Sequence, residues 1–270
     1  MPATGRGLAV LLALGLVLGA CAASTPPAAP TPPGAPTLRV MTWNVQTHAH
    51  EPSEWVDVVA RLRPDVLGLQ EICTGEALEL AALLGREHGL DYAVVPGPIR
   101  PPTPAEASAP VNAALGPACD TAPDAVEFGL AVLSLLPTSD ADVVTYPPDR
   151  RDEQRGYLTV RVAGLRVLVT HIGLEGVQAD QIRRLADAAA GTDPAVVMGD
   201  LNVPFPAPEL APLQRGLVEV DPDGRFPTAA AKLDYIFVRG MVAVGDPEAP
   251  ATTASDHRPL ISTVGLPSGA

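Results

Sequence analysis

Six apolar, strand-like runs in this chain are each flanked by polar side chains that gain from facing water: Asn44, Glu71, His171, Asp200 with Asn202, Asp234, and Asp256 with His257. A carboxylate or imidazole in the middle of a buried strand needs a partner for every polar atom. At a strand end it can face a solvated cleft while the apolar run behind it fills the core. Repeated six times, the arrangement predicts strands laid side by side with their polar ends gathered into one shared site.

The chain can build such a core. Of its 270 residues 47% are hydrophobic and 18% charged, which suits one large domain. Leu38 to Val45 reads as a strand, and Trp55, Val58, Val59 and Leu62 then recur at helical spacing behind Pro52-Ser53 until Pro64 stops them. Val66 to Gln70 is the next strand, and Ala77, Leu80, Ala81 and Leu84 mark a second helix that runs out near Gly85. Residues 96–127, rich in proline and without periodicity, are expected to form a long irregular insertion at the domain rim.

Downstream, Phe128 to Ser134 reads as a strand. Tyr157 to Val162 and Leu165 to Thr170 flank Ala163-Gly164 as a tight hairpin that delivers His171. Ile182, Leu185, Ala186 and Ala189 predict a helix, Ala195 to Gly199 a short strand, and Leu233 to Val238 and Leu260 to Val264 two more. Strands joined partly by helices and partly by hairpins imply mixed sheets with helices on their outer faces.

The N-terminal segment stands outside this domain. Arg6 precedes an apolar stretch from Leu8 to Leu18, and Leu18-Gly19-Ala20-Cys21 follows, the layout of an export signal over residues 1–20. The stretch is short for a bilayer span, which takes about 20 apolar residues. With its cysteine directly after the small pair, it resembles the lipobox of bacterial lipoproteins. That resemblance implies acylation of Cys21 and a location on the outer face of the bacterial cell membrane; cleavage without lipidation would give a secreted protein. Residues 21–37, almost all Ala, Pro, Thr and Gly, predict a solvated tether, with the folded domain over 38–266. Cys73 and Cys119 remain as an even pair in a disulfide-permitting compartment, and a bond between them is expected.

A net charge of −13 excludes the broad basic footprint of a tight, nonspecific nucleic-acid binder, leaving nucleic acid as a substrate at most. Glu71 and Asn44 offer hard oxygen atoms with no thiolate or imidazole cluster beside them, a donor set for Mg²⁺ or Mn²⁺. Asp200 and Asn202 stand at alternate positions, which an extended backbone would turn to one face. His257 titrates near neutral pH, whereas His48, His50 and His88 read as surface residues. Arg155, just before the hairpin, is the best-placed arginine for a bidentate phosphate contact.

Thr42-Trp43-Asn44, Gln70-Glu71, Thr170-His171, Gly199-Asp200-Leu201-Asn202, Leu233-Asp234-Tyr235-Ile236 and Ser255-Asp256-His257, in that order, resemble the endonuclease/exonuclease/phosphatase superfamily, as does Gly129-Leu130-Ala131-Val132-Leu133-Ser134 as scaffold. The resemblance covers nearly the whole chain from Leu38. It implies a four-layer α/β/β/α sandwich with two mixed, mainly antiparallel sheets, and Mg²⁺-dependent hydrolysis of phosphate esters by in-line attack of water, most often on diesters. It also implies roles: Glu71, Asn44 and Asp256 toward the metal; Asp200 orienting or deprotonating water; Asn202, His171 and Arg155 on the phosphate; Asp234 holding His257 charged. No tyrosine is assigned to phosphate. The substrate class spans nucleic acids, nucleotides, lipid headgroups and inositol phosphates, and the protein is expected to be a monomer. The alternative is a catalytically silent surface lipoprotein that uses the same fold as a binding platform.

Overall fold

The computed structural model describes Met1 and residues 36–99, 128–147, 154–174 and 176–265. The export signal, Cys21, Cys119 and most of the 96–127 insertion lie outside these residues.

One sheet holds β1 (Thr37–Asn44), β2 (Val66–Cys73), β3 (Ala93–Pro98), β4 (Phe128–Ser134), β11 (Val242–Ala243) and β12 (Leu260–Gly265), in the order β11-β12-β1-β2-β4-β3. The other holds β5 (Thr138–Thr145), β6 (Gly156–Val162), β7 (Leu165–His171), β8 (Ala195–Asp200), β9 (Val218–Glu219) and β10 (Asp234–Arg239), in the order β5-β6-β7-β8-β10-β9. Helices α1 (Pro52–Leu62) and α2 (Thr74–His88) cover the first sheet; α3 (Gln178–Ala189) and the single turn α4 (Ala211–Gln214) cover the second. Alternate strand residues explain these layers. Val40, Val132, Leu158, Val160, Val167, Val169, Val196 and Met198 pack between the sheets, while Met41, Trp43, Leu67 and Leu69 face α1 and α2. The result is the α/β/β/α sandwich.

Among the described strands only β1 with β2 and β7 with β8 run parallel, joined through α1 and α3. These two crossovers bring the C-terminal ends of four strands, and so Asn44, Glu71, His171 and Asp200, to one end of the sandwich. β10 runs antiparallel to β8 with Asp234 opposite Asp200, so its beginning arrives at the same place. Gly68 lets the two sheets approach beneath this end. A Cβ there would stand 2.7 Å from Val169 Cγ2 and 2.9 Å from Met198 Cε, inside contact distance.

Local signals account for most boundaries. A capping box between Glu51 and Glu54 opens α1, whose Pro52 needs no N–H partner in the first turn. Ala163 and Gly164 both take positive φ, 48° and 84°, as a two-residue hairpin turn requires. Other expectations are corrected. α2 continues one turn past Gly85 and ends on left-handed Gly89, because Gly85 is tolerated inside a helix already held by its apolar face. The insertion begins later than residue 96, since Pro96-Gly97-Pro98 completes β3; proline is accepted there because β3 is an edge strand. β5 gave no alternating pattern to read. It is a largely exposed edge strand with a bulge between Ser139 and Asp142, where Asp140 has φ 51°.

Candidate active site

Glu71 sits on a β-bulge. The pairing of β2 with β4 shifts between Gln70 and Ile72, and Glu71 takes φ 50°, a left-handed conformation that is strained for a residue with a Cβ. The bulge turns the carboxylate out of the sheet toward the other sheet's strand ends. Its Oε1 accepts a hydrogen bond from Asn44 Nδ2 at 3.0 Å and lies 3.8 Å from His171 Nε2.

Asp200 is the hub of the second sheet. Its Oδ2 stands 3.3 Å from Asn44 Nδ2, 3.3 Å from His171 Nε2 and 3.8 Å from His257 Nε2, while Oδ1 accepts the Asn202 backbone N–H at 2.9 Å. That last bond is an Asx turn, and Asn202 takes φ 49°. Strand alternation therefore does not bring Asp200 and Asn202 together, as the sequence suggested; the chain turns after Asp200 and folds Asn202 back. Asn202 Nδ2 then donates to the Ile172 carbonyl at 2.8 Å and reaches His171 Nε2 at 3.2 Å.

His257 pairs with Asp234, Nδ1 to Oδ2, at 2.7 Å, and both are buried. The loop carrying His257 is fastened to the end of β1 by long-range contacts. Trp43 Nε1 donates to the His257 carbonyl at 2.9 Å, Trp55 Nε1 to the Ala254 carbonyl at 3.0 Å, and Ser255 Oγ to the Asn44 carbonyl at 2.7 Å. Both tryptophans of the chain thus spend their indole N–H on this loop while their rings fill the core under α1 and α2, a burial worth about 3 kcal/mol each. At the other side Thr228 Oγ1 accepts the N–H groups of Leu233 and Asp234, which holds the start of β10.

The charges are set by this packing. Burial pushes the Glu71 carboxyl up, but the positive charges of His171 and Arg155 and the bond from Asn44 outweigh it and hold the group below its ordinary range. Burial also raises Asp200. The hydrogen bond and charge of His171, the charge of His257 and the Asn202 N–H overcome it, and its pKa falls to about 2. Burial pushes His257 down, whereas the bond and charge of Asp234, with Asp200 and Asp256, lift it to about 9. Full burial and the Asp200 charge push Asp234 up as well. Both partners move in the same direction, and the ring keeps the proton at neutral pH because imidazole is the stronger base.

Seven of the expected residues therefore meet: Asn44, Glu71, His171, Asp200, Asn202, Asp234 and His257. Three placements differ from expectation. Asn44 Oδ1 accepts the Gln46 N–H at 3.1 Å, which turns its amide nitrogen toward Glu71 and Asp200, so it bridges the two carboxylates. Asp256, expected toward the metal, is exposed, and its carboxylate accepts from Gln46 Nε2 at 3.1 Å and Ser255 Oγ at 3.4 Å. Arg155 is buried with its guanidinium against the His171 ring, Nη1 standing 3.0 Å from Nε2 and closer still to Nδ1. The packed guanidinium fixes where the ring can lie, so Arg155 orients His171.

His48, read from the sequence as a surface residue, is exposed, and its Nδ1 stands 3.9 Å from Glu71 Oε2, a contact that sequence reasoning missed. No local pattern marks it, because the contact depends on how the loop after β1 returns over the bulge. Among the described residues Asp200, Asp234 and His257 form a trio of acid and imidazole groups near enough to share an ion. The direct Asp234–His257 bond already uses two of their ligand atoms. Glu71, charged and with a side chain 18% exposed, better fits a cation that keeps most of its waters.

The fold has known counterparts. A structure of an endonuclease/exonuclease/phosphatase from Beutenbergia cavernae DSM 12333 superposes with a TM-score of 0.68 at 22% identity, over 86% of this chain and 72% of that one. The catalytic domain of human Nocturnin with a bound sulfate anion gives a TM-score of 0.59 at 18% identity, over 85% and 93%. D. rerio TDP2 complexed with a single-strand DNA product gives 0.58 at 14%, over 84% and 98%. No curated protein matches the chain. Residues 41–257 match the model of the Endonuclease/Exonuclease/phosphatase family, whose members are typically hydrolases of phosphate esters, and it is to this family that the chain belongs.

Proposed function

We propose that the protein is an exported, lipid-anchored phosphodiesterase that uses Mg²⁺ or Mn²⁺ and acts as a monomer on a phosphate diester. The observation that supports this most is the unbroken run of close side chains that leads from a charged, partly exposed carboxylate, Glu71, through His171 and Asp200 to a charged imidazole, His257. A divalent cation held by Glu71, with the remaining lone pair of Asn44 Oδ1 and Asp256 alongside, would neutralise charge on a phosphate oxygen. The other residues act on what lies opposite. Asp200, held charged, accepts a hydrogen bond from the attacking water, aligns it with the leaving oxygen and receives its proton as the new P–O bond forms, while the leaving oxygen takes a proton from His257. His257 donates to the oxygens that gain negative charge, and Asn202 and His171, the latter steadied by Arg155, orient the phosphate. The sulfate bound to Nocturnin and the DNA product bound to TDP2 show related folds accepting phosphate-like groups.

Assay against a chromogenic phosphodiester with Mg²⁺, followed by a side-by-side panel of DNA, RNA, sphingomyelin and inositol phosphates, tests the reading. Metal-dependent turnover of at least one diester is expected. Inactivity on every ester class with either metal would leave the binding-platform alternative standing.

The same proposal places a folded domain over residues 38–266, a tether over 21–37, a lipid on Cys21 and a bond between Cys73 and Cys119. Cys73 is buried at the end of β2, two residues from Glu71, so a link there would tether the insertion near the site. Mass analysis of the exported protein should find an acylated N-terminal Cys21 and no thiol open to alkylation without reductant. An unmodified Cys21, or two alkylated thiols, would reject the corresponding part.

A further inference from the structure

We infer that His48 is a ligand of the divalent cation held at Glu71, and that it shifts the site's preference from Mg²⁺ toward borderline first-row ions such as Co²⁺. The inference rests on the metal site proposed above. The two oxygens of Glu71 are used unequally: Oε1 accepts from Asn44 and faces His171, while Oε2 faces His48 Nδ1 at 3.9 Å. That separation is too long for a hydrogen bond. Two adjacent ligand atoms each about 2.1 Å from one octahedral ion stand about 3.0 Å apart, so a rotation of the exposed His48 side chain by about 1 Å toward Glu71 would let a single cation join them.

The loop bearing His48 is not free to wander. Val45 N donates to the Gln70 carbonyl at 3.1 Å and Thr47 N to the Glu71 carbonyl at 3.0 Å, so the backbone on the N-terminal side of His48 is stitched to the bulge itself. Ala49 N and His50 N both turn back to the Gln46 carbonyl, at 2.9 and 3.2 Å, which closes a tight turn around His48. Gln46, where the chain leaves β1 and enters this turn, has a left-handed φ of 50°. The His48 side chain, 51% exposed, stands on the solvent side of Glu71, where an ion would otherwise be completed by water. Replacing one such water by imidazole matters little to Mg²⁺, which prefers oxygen. It favours ions that bind nitrogen well.

Calorimetric titration of the full protein with Co²⁺ and with Mg²⁺, in wild type, His48→Ala and Glu71→Gln, tests this. Loss of His48 should weaken Co²⁺ binding about tenfold or more and change Mg²⁺ binding less than about twofold. Pulsed EPR of bound Mn²⁺ should also lose an imidazole-nitrogen coupling in His48→Ala. Equal Co²⁺ affinity in wild type and His48→Ala, with Glu71→Gln still weakened, would overturn the role of His48 and leave the Glu71 site intact. Undiminished binding in Glu71→Gln would overturn the metal site and this inference together.

Discussion

Replacing His257 by glutamine is expected to lower kcat for phosphodiester hydrolysis about a thousandfold, because the group that stabilises developing charge and the group that can give up a proton are lost together. Glutamine is the informative change. Alanine would leave Asp234 buried without its partner, and an uncompensated charge costs about 3–5 kcal/mol, so lost activity could reflect lost fold. A glutamine amide can still donate to Asp234 Oδ2. Near-wild-type turnover in His257→Gln would remove His257 from the mechanism.

The same pair fixes the pH dependence. His257 is protonated up to about 9, so activity carried by the imidazolium should fall as pH rises through that value. In Asp234→Asn the carboxylate that raises the ring is gone, and the alkaline limb of kcat/KM should move down toward the ordinary histidine value of 6.5. An alkaline limb that stays near 9 in Asp234→Asn would sink the assignment. Stability follows the same sign. The folded-state pKa of His257 lies above the unfolded one, so its own contribution is complete below 6.5, while Asp234 stays charged, and is lost as pH climbs from there through about 9.

Glu71→Gly should yield a protein that is inactive yet no less stable. Glu71 holds a left-handed φ of 50° at the bulge, a strain of about 1–3 kcal/mol that glycine does not feel. Removing the carboxylate adds no electrostatic gain, since the charges of His171 and Arg155 and the Asn44 bond together outweigh its desolvation and the charge of Asp200. Against the relieved strain stand these lost interactions, of which the Asn44 bond is worth about 1 kcal/mol. Thermal melting should therefore show an unchanged or higher midpoint, while hydrolysis falls by about a thousandfold or more, the signature of a residue kept for function at a cost in stability. A large drop in the midpoint would mean that Glu71 serves the fold. Retained activity would mean that catalysis does not depend on a cation held at Glu71.

Much of this site was legible along the chain. The six polar clusters were found because each flanks an apolar run, and a strand covered on both faces is a nearly unbroken apolar run that stands out even where pairing is unknown. The covered strands β1, β2, β7 and β8 were read within a few residues for that reason. The edge strands β3 and β5 were not, since edges tolerate proline, charge and bulges, the very features that mask strand periodicity. At the site, residue identity suggested more than it could decide. Arg155 was expected on the phosphate and lies instead behind His171, and Asp256 was expected toward the metal and lies at the surface. His48 showed nothing in sequence because an exposed histidine in a loop has no periodic or compositional mark.

What the amino-acid order determined by itself was which side chains would stand at strand ends, and hence the chemical inventory of the pocket, because hydrophobic patterning is local and every strand carries its own. Which atom faces which was decided only by the tertiary structure. The bulge at Glu71, the Asx turn at Asp200, the close approach allowed by Gly68 and the loop held by Trp43 and Trp55 join residues up to 214 positions apart. Contacts at that separation form only after the sheets have packed, so no window of sequence contains them.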